Sequence, residues 1–107
     1  MFIIAVNSFL SIRTTREGAA EVAITAVQKE IDDYQQQQGK DAWAMAELEE
    51  AIAILKRWCN RELTDGYVKT ESHRVFVKLN DYVPGLQIEA RYLISGMMNI
   101  LIQPETA

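Results

Sequence analysis

Apolar positions along this chain follow two rhythms. Up to about Thr64-Asp65-Gly66 they recur at helical spacing, and beyond it they alternate with polar residues as in strands. The chain opens on an unbroken apolar run, Phe2 to Val6, which fits a buried strand or the start of a buried helix reaching Ile12. Its β-branched isoleucines and valine favour the strand. Thr14-Thr15-Arg16-Glu17 then matches a capping box, with the Thr14 hydroxyl taking a free backbone N–H and Glu17 reaching back, so a helix is predicted from there. Ala20, Ile24, Val27, Ile31 and Tyr34 step by four and three and form its core stripe.

After Gln35 to Gln38, Gly39 suits the residue just past a helix end, and Asp41 is placed to cap a second helix. So short a connection predicts an antiparallel helical hairpin. Met45, Leu48, Ile52, Leu55 and Cys59 form the second stripe. Trp43, Ala46, Ala53, Ile54 and Trp58 lie outside or beside it, as on a helix that meets its partner with one face and a sheet with another. Glu47, Glu49 and Glu50 come early, whereas Lys56, Arg57 and Arg61 come late, the order that the helix dipole favours.

Past the Asp65-Gly66 turn, Tyr67 to Thr70 and Arg74 to Leu79 are rich in strand-forming types, with a bend at Glu71-Ser72-His73. Leu86, Ile88, Ala90, Tyr92 and Ile94 alternate with polar residues after the Pro84-Gly85 turn, and Ser95-Gly96 can turn the chain into a last strand, Met97 to Ile102. Helical spacing of Leu86, Ala90, Leu93, Met97 and Leu101 leaves a helix over 86–102 as the rival. Gly96 would weaken that helix. The resulting fold class is α+β: an N-terminal strand, an antiparallel two-helix hairpin (14–63), then a three- to four-stranded antiparallel sheet (66–103) packed on the hairpin, all in a single domain over 1–107.

Composition narrows the function classes. The 107 residues are 49% hydrophobic and 24% charged, which fits a globular domain. A net charge of −4 disfavours nucleic acid as a partner. With one cysteine, Cys59, no internal disulfide is possible, and with no basic leader and no run of membrane-spanning length the expectation is a cytoplasmic protein off the membrane.

Catalytic and metal chemistry find little support in the residue pattern. His73 beside Ser72 is adjacency in sequence, not a dyad, and a lone histidine with a lone cysteine does not make a zinc site. The five glycines are scattered and form no phosphate loop. No cofactor, metal or catalytic residue is therefore assigned.

Charge is segregated instead. Residues 30–50 carry seven acids and one base, while residues 51–78 carry six bases and three acids. The leading expectation is a small acidic, non-enzymatic protein-interaction module of inhibitor, immunity, antitoxin or adaptor type, binding a protein partner through Asp32, Asp33, Glu47, Glu49 and Glu50. A second candidate surface comprises Arg57, Arg61, Tyr67, His73 and Arg74. The alternatives are a homodimeric structural protein, or a small enzyme with a site near His73.

Overall fold

The computed structural model describes residues 1–37, 42–63, 75–79, 85–90 and 98–104. Among the described residues seven elements run in the order β1 (Phe2–Val6), β2 (Phe9–Arg13), α1 (Arg16–Gln37), α2 (Ala42–Cys59), β3 (Val75–Leu79), β4 (Leu86–Ala90) and β5 (Met98–Pro104). The fold class is α+β, with two helices and an antiparallel sheet. The five described strands form one sheet in the order β2-β1-β5-β4-β3, every neighbouring pair antiparallel. Residues 86–90 and 98–104 are strands, which removes the helical alternative there.

At the N-terminus Phe2–Val6 is a strand, which removes the alternative of a helix reaching Ile12. What the sequence expectation lacked is a second strand: β1 turns at Asn7-Ser8 into β2, which alternation did not reveal. Asn7 makes this turn possible, because its φ of 53° lies where asparagine is better tolerated than most side chains. It also ends the β1–β5 ladder. Its backbone N–H donates to the Asn99 carbonyl at 2.8 Å, and its Oδ1 accepts from the Asn99 N–H at 2.9 Å.

Pleating sorts the strand residues onto two faces. Val6, Ile100 and Ile88 form one row across three strands, Ile4, Ile102 and Leu86 form the next, and all six are buried on the face covered by the helices. Helix α1 lies against β1 and β2, and α2 against β3 and β4. The helices run antiparallel, since Arg16 at the start of α1 meets Trp58 at the end of α2. Ala19, Ala20, Ala23, Val27 and Ile31 face Leu48, Ala51, Ile54, Leu55 and Trp58 in one shared core with the sheet. Small alanines on α1 let its backbone approach closely, and the larger side chains of α2 fill the layer above the sheet.

The ends of the helices differ from their sequence reading in two ways. Thr15, not Thr14, caps α1: its Oγ1 accepts from the Gly18 N–H at 3.0 Å and its carbonyl from the Ala19 N–H at 3.0 Å. Because β2 continues to Arg13, the cap falls one residue later, and Glu17 is not in position to complete a capping box. Helix α2 closes in a Schellman arrangement, the Glu62 N–H donating to the Arg57 carbonyl at 2.9 Å and the Arg61 N–H to that of Trp58 at 3.1 Å. Arg61 occupies the left-handed position that this motif ordinarily gives to glycine, at φ 58°.

The expected strand at 67–70, the turns at Asp65-Gly66 and Ser95-Gly96, and the Gly39 and Asp41 caps lie outside the described residues.

Candidate functional site

The acidic residues singled out in the sequence do not share one environment. Asp32 and Glu49 are exposed, Asp33 and Glu50 are half-buried, and Glu47 is buried. Asp32 accepts from Gln28 Nε2 at 3.2 Å, one turn back along α1. Glu47 and Glu50 are engaged within the fold, so of these five acids the exposed ones are Asp32 and Glu49, with Asp33 and Glu50 half-buried.

Of the second candidate set, Arg57 and Arg61 are exposed at the end of α2, and Tyr67, His73 and Arg74 lie outside the described residues. Next to Arg61 the fold builds a cluster that the sequence did not foreshadow. Trp58 is 1% exposed, Phe2 meets its ring edge-on at 5.8 Å between centroids and 88° between planes, and the Arg16 guanidinium lies 4.1 Å from the ring centroid. Arg16 Nε also donates to the Trp58 carbonyl at 2.9 Å, so that carbonyl serves both Arg16 and Arg61.

Burial against Trp58 holds the Arg16 guanidinium below the usual arginine range, and the like charge of Arg61 adds to the effect. Arginine starts so far above neutrality that Arg16 stays charged. The arrangement is a stacked, hydrogen-bonded clasp between the start of α1 and the end of α2, and its work is structural. Cys59, beside it, is half-buried and packs against the core. Among the described residues no group of three or more histidines, cysteines or carboxylates could hold a metal ion, and no helix is long and apolar enough to cross a membrane.

The feature that stands out is β2. Among the described residues it forms one edge of the sheet, with β1 on one side only. Phe9 is 79% exposed, Leu10 74% and Ile12 55%, three large apolar side chains within five residues. Leu10 and Ile12 point to the sheet face away from the helices, where their register partners Ala5 and Ile3 and then Leu101 are half-buried. An apolar strip thus runs from the β2 edge across β1 to β5, bounded by Gln87, Asn99 and Gln103, which are exposed.

Such an edge is a template for another strand, and folded proteins ordinarily blunt it with charge or cover. Here the only charge within β2 is Arg13, whose Nη1 donates to the Ile12 carbonyl at 2.8 Å. Sequence reading missed this surface. The available signal was a second β-rich run directly after Asn7-Ser8, but apolar residues at Phe9, Leu10 and Ile12 do not alternate cleanly.

No protein-family model, no curated protein and no solved structure matches this chain.

Proposed function

We propose that this protein is a protein-interaction module that binds through the β2 edge and the apolar strip beside it. The observation that carries the reading is the exposure of Phe9, Leu10 and Ile12 on an edge strand. Backbone groups along such an edge supply directional hydrogen bonds and the apolar side chains supply buried area, the combination used in strand addition. Asp32 and Glu49, exposed acids on the helices, have a different task in this scheme: they change the rate at which a partner approaches, attracting a basic partner and repelling an acidic one, in a manner screened by salt.

Immobilised wild-type protein, compared with Leu10→Lys/Ile12→Lys and with Asp32→Lys/Glu49→Lys, tests this. The edge variant is expected to lose bound protein almost completely, by at least about tenfold, since a charge must then be buried in the contact. The acid variant is expected to retain it at moderate salt. Retention by the edge variant with loss by the acid variant would transfer the binding surface to the helices.

A further inference from the structure

The geometry points to a second copy of this chain as the occupant of the β2 edge, paired antiparallel about a two-fold axis through Ser11; this rests on the interaction reading above and names its partner. The backbone decides which groups are free. Antiparallel pairing alternates the direction of successive residues, and the Asn7 N–H bonded to Asn99 shows that odd-numbered residues of β1 face β5. Phe2, Ile4 and Val6 therefore face β2, where Arg13, Ser11 and Phe9 meet them. Leu10 and Ile12 are left with their N–H and C=O groups directed to the open edge.

A two-fold axis at Ser11 uses these groups without remainder. Leu10 of one copy then lies opposite Ile12 of the other, as a pair that exchanges both backbone hydrogen bonds, and the symmetry repeats the exchange. The side chains match as well. Leu10 meets Ile12 on the open face, extending the strip over Ile3, Ala5 and Leu101 across both copies. Ser11 meets Ser11, and Ser8 meets Thr14.

Charge agrees with this antiparallel arrangement. Arg13 is the only charge in β2, and it falls opposite Phe9, an aromatic ring on the same face of the sheet, and away from its own symmetry mate. Parallel in-register pairing would place Arg13 beside Arg13. The bond from Arg13 Nη1 to the Ile12 carbonyl is an exposed contact between neighbours, which a backbone N–H from Leu10 of the second copy can replace. The product is a continuous sheet joining the five described strands of each copy, with both helix pairs on one side.

Sedimentation equilibrium of the intact protein between about 1 and 300 µM, a range that brackets micromolar association, reads the result directly. The expected outcome is a concentration-dependent doubling of mass that Leu10→Lys/Ile12→Lys abolishes while the helical circular dichroism stays the same. Ser11→Cys in a Cys59→Ala background provides a second reading. Residues facing each other at the axis in a non-hydrogen-bonded pair lie about 4.5 Å apart between Cα atoms, within disulfide reach, so mild oxidation should give a covalent dimer. Phe9→Cys in the same background, four residues out of register with its mate, should not.

A monomer across the whole range, a dimer that survives the two lysines, or crosslinking of Phe9→Cys as fast as Ser11→Cys would each overturn the inference. The interaction reading has its own fate. A monomer that still captures another protein through Leu10 and Ile12 leaves that reading standing with a different partner, and a monomer that captures nothing through them ends both.

Discussion

Two arginines show how far a residue's role can lie from its charge. Arg61 belongs by sequence to a basic surface, yet its position is dictated by the end of α2, where it takes a left-handed φ of 58° in a motif built for glycine. An L-side chain there costs about 1–2 kcal/mol, and glycine loses part of that gain through its greater freedom when unfolded. Arg61→Gly is therefore expected to raise the unfolding free energy by about 0.5–1 kcal/mol. It also relieves the like-charge repulsion on Arg16. Urea denaturation would show this as a higher midpoint with an unchanged slope, and a lower midpoint would mean that the Arg61 side chain makes a stabilising contact. Arg16 illustrates the converse. It was not singled out in the sequence, because stacking on Trp58 requires residues 42 positions apart to meet.

At the scale of elements, periodicity carried most of the information. The stripe over Ala20 to Tyr34 lies on the buried side of α1, with Ile24 at its border, and Leu48 and Leu55 are core residues of α2. Boundaries were less legible. Thr14 and Thr15 are chemically equivalent caps, and the length of β2 decides between them by fixing where the backbone leaves the sheet. Thr15→Ala should cost about 1 kcal/mol of stability, as loss of an N-cap does, whereas Thr14→Ala should stay within about 0.5 kcal/mol. Thermal unfolding of the two variants side by side checks it; equal effects would contradict the assignment of the cap. Strand β2 itself escaped because local alternation reports burial on one face. An edge strand with apolar residues directed to both faces has no such record.

For the molecule as a whole, the decisive contact joins the two ends of the described chain. Strand β5 pairs with β1, so residues 2–6 and 98–104 form the centre of the sheet, and Ile4 lies opposite Ile102 with neither exposed. Replacing either by alanine should cost about 2–5 kcal/mol, through lost transfer free energy and the cavity left behind. The double variant should fall short of the sum by at least about 0.5 kcal/mol, because the two cavities share a wall. Ile12→Ala, by contrast, should change monomer stability by no more than about 0.5 kcal/mol, since Ile12 is 55% exposed. Denaturation at low protein concentration measures all four. Strict additivity of Ile4 and Ile102 would show that the pairing is not part of the cooperative core.

The same scale separates what the sequence determined from what the tertiary structure decided. Hydrophobic period is a local property, so the change from helical to alternating spacing was enough to establish α+β, two helices and antiparallel strands. Charge bias is likewise additive along a chain and was readable as composition. Exposure is neither local nor additive: it depends on which elements cover which. Glu47 reads as a surface acid and is buried because α2 turns that side inward, while Phe9, Leu10 and Ile12 are large apolar side chains and are exposed. Leu10 and Ile12 lie on the sheet face that the helices do not cover, and Phe9 lies at the end of the edge strand. Only the strand order β2-β1-β5-β4-β3 places them there, and strand order is set by pairings across nearly the full length of the chain, which no local pattern encodes.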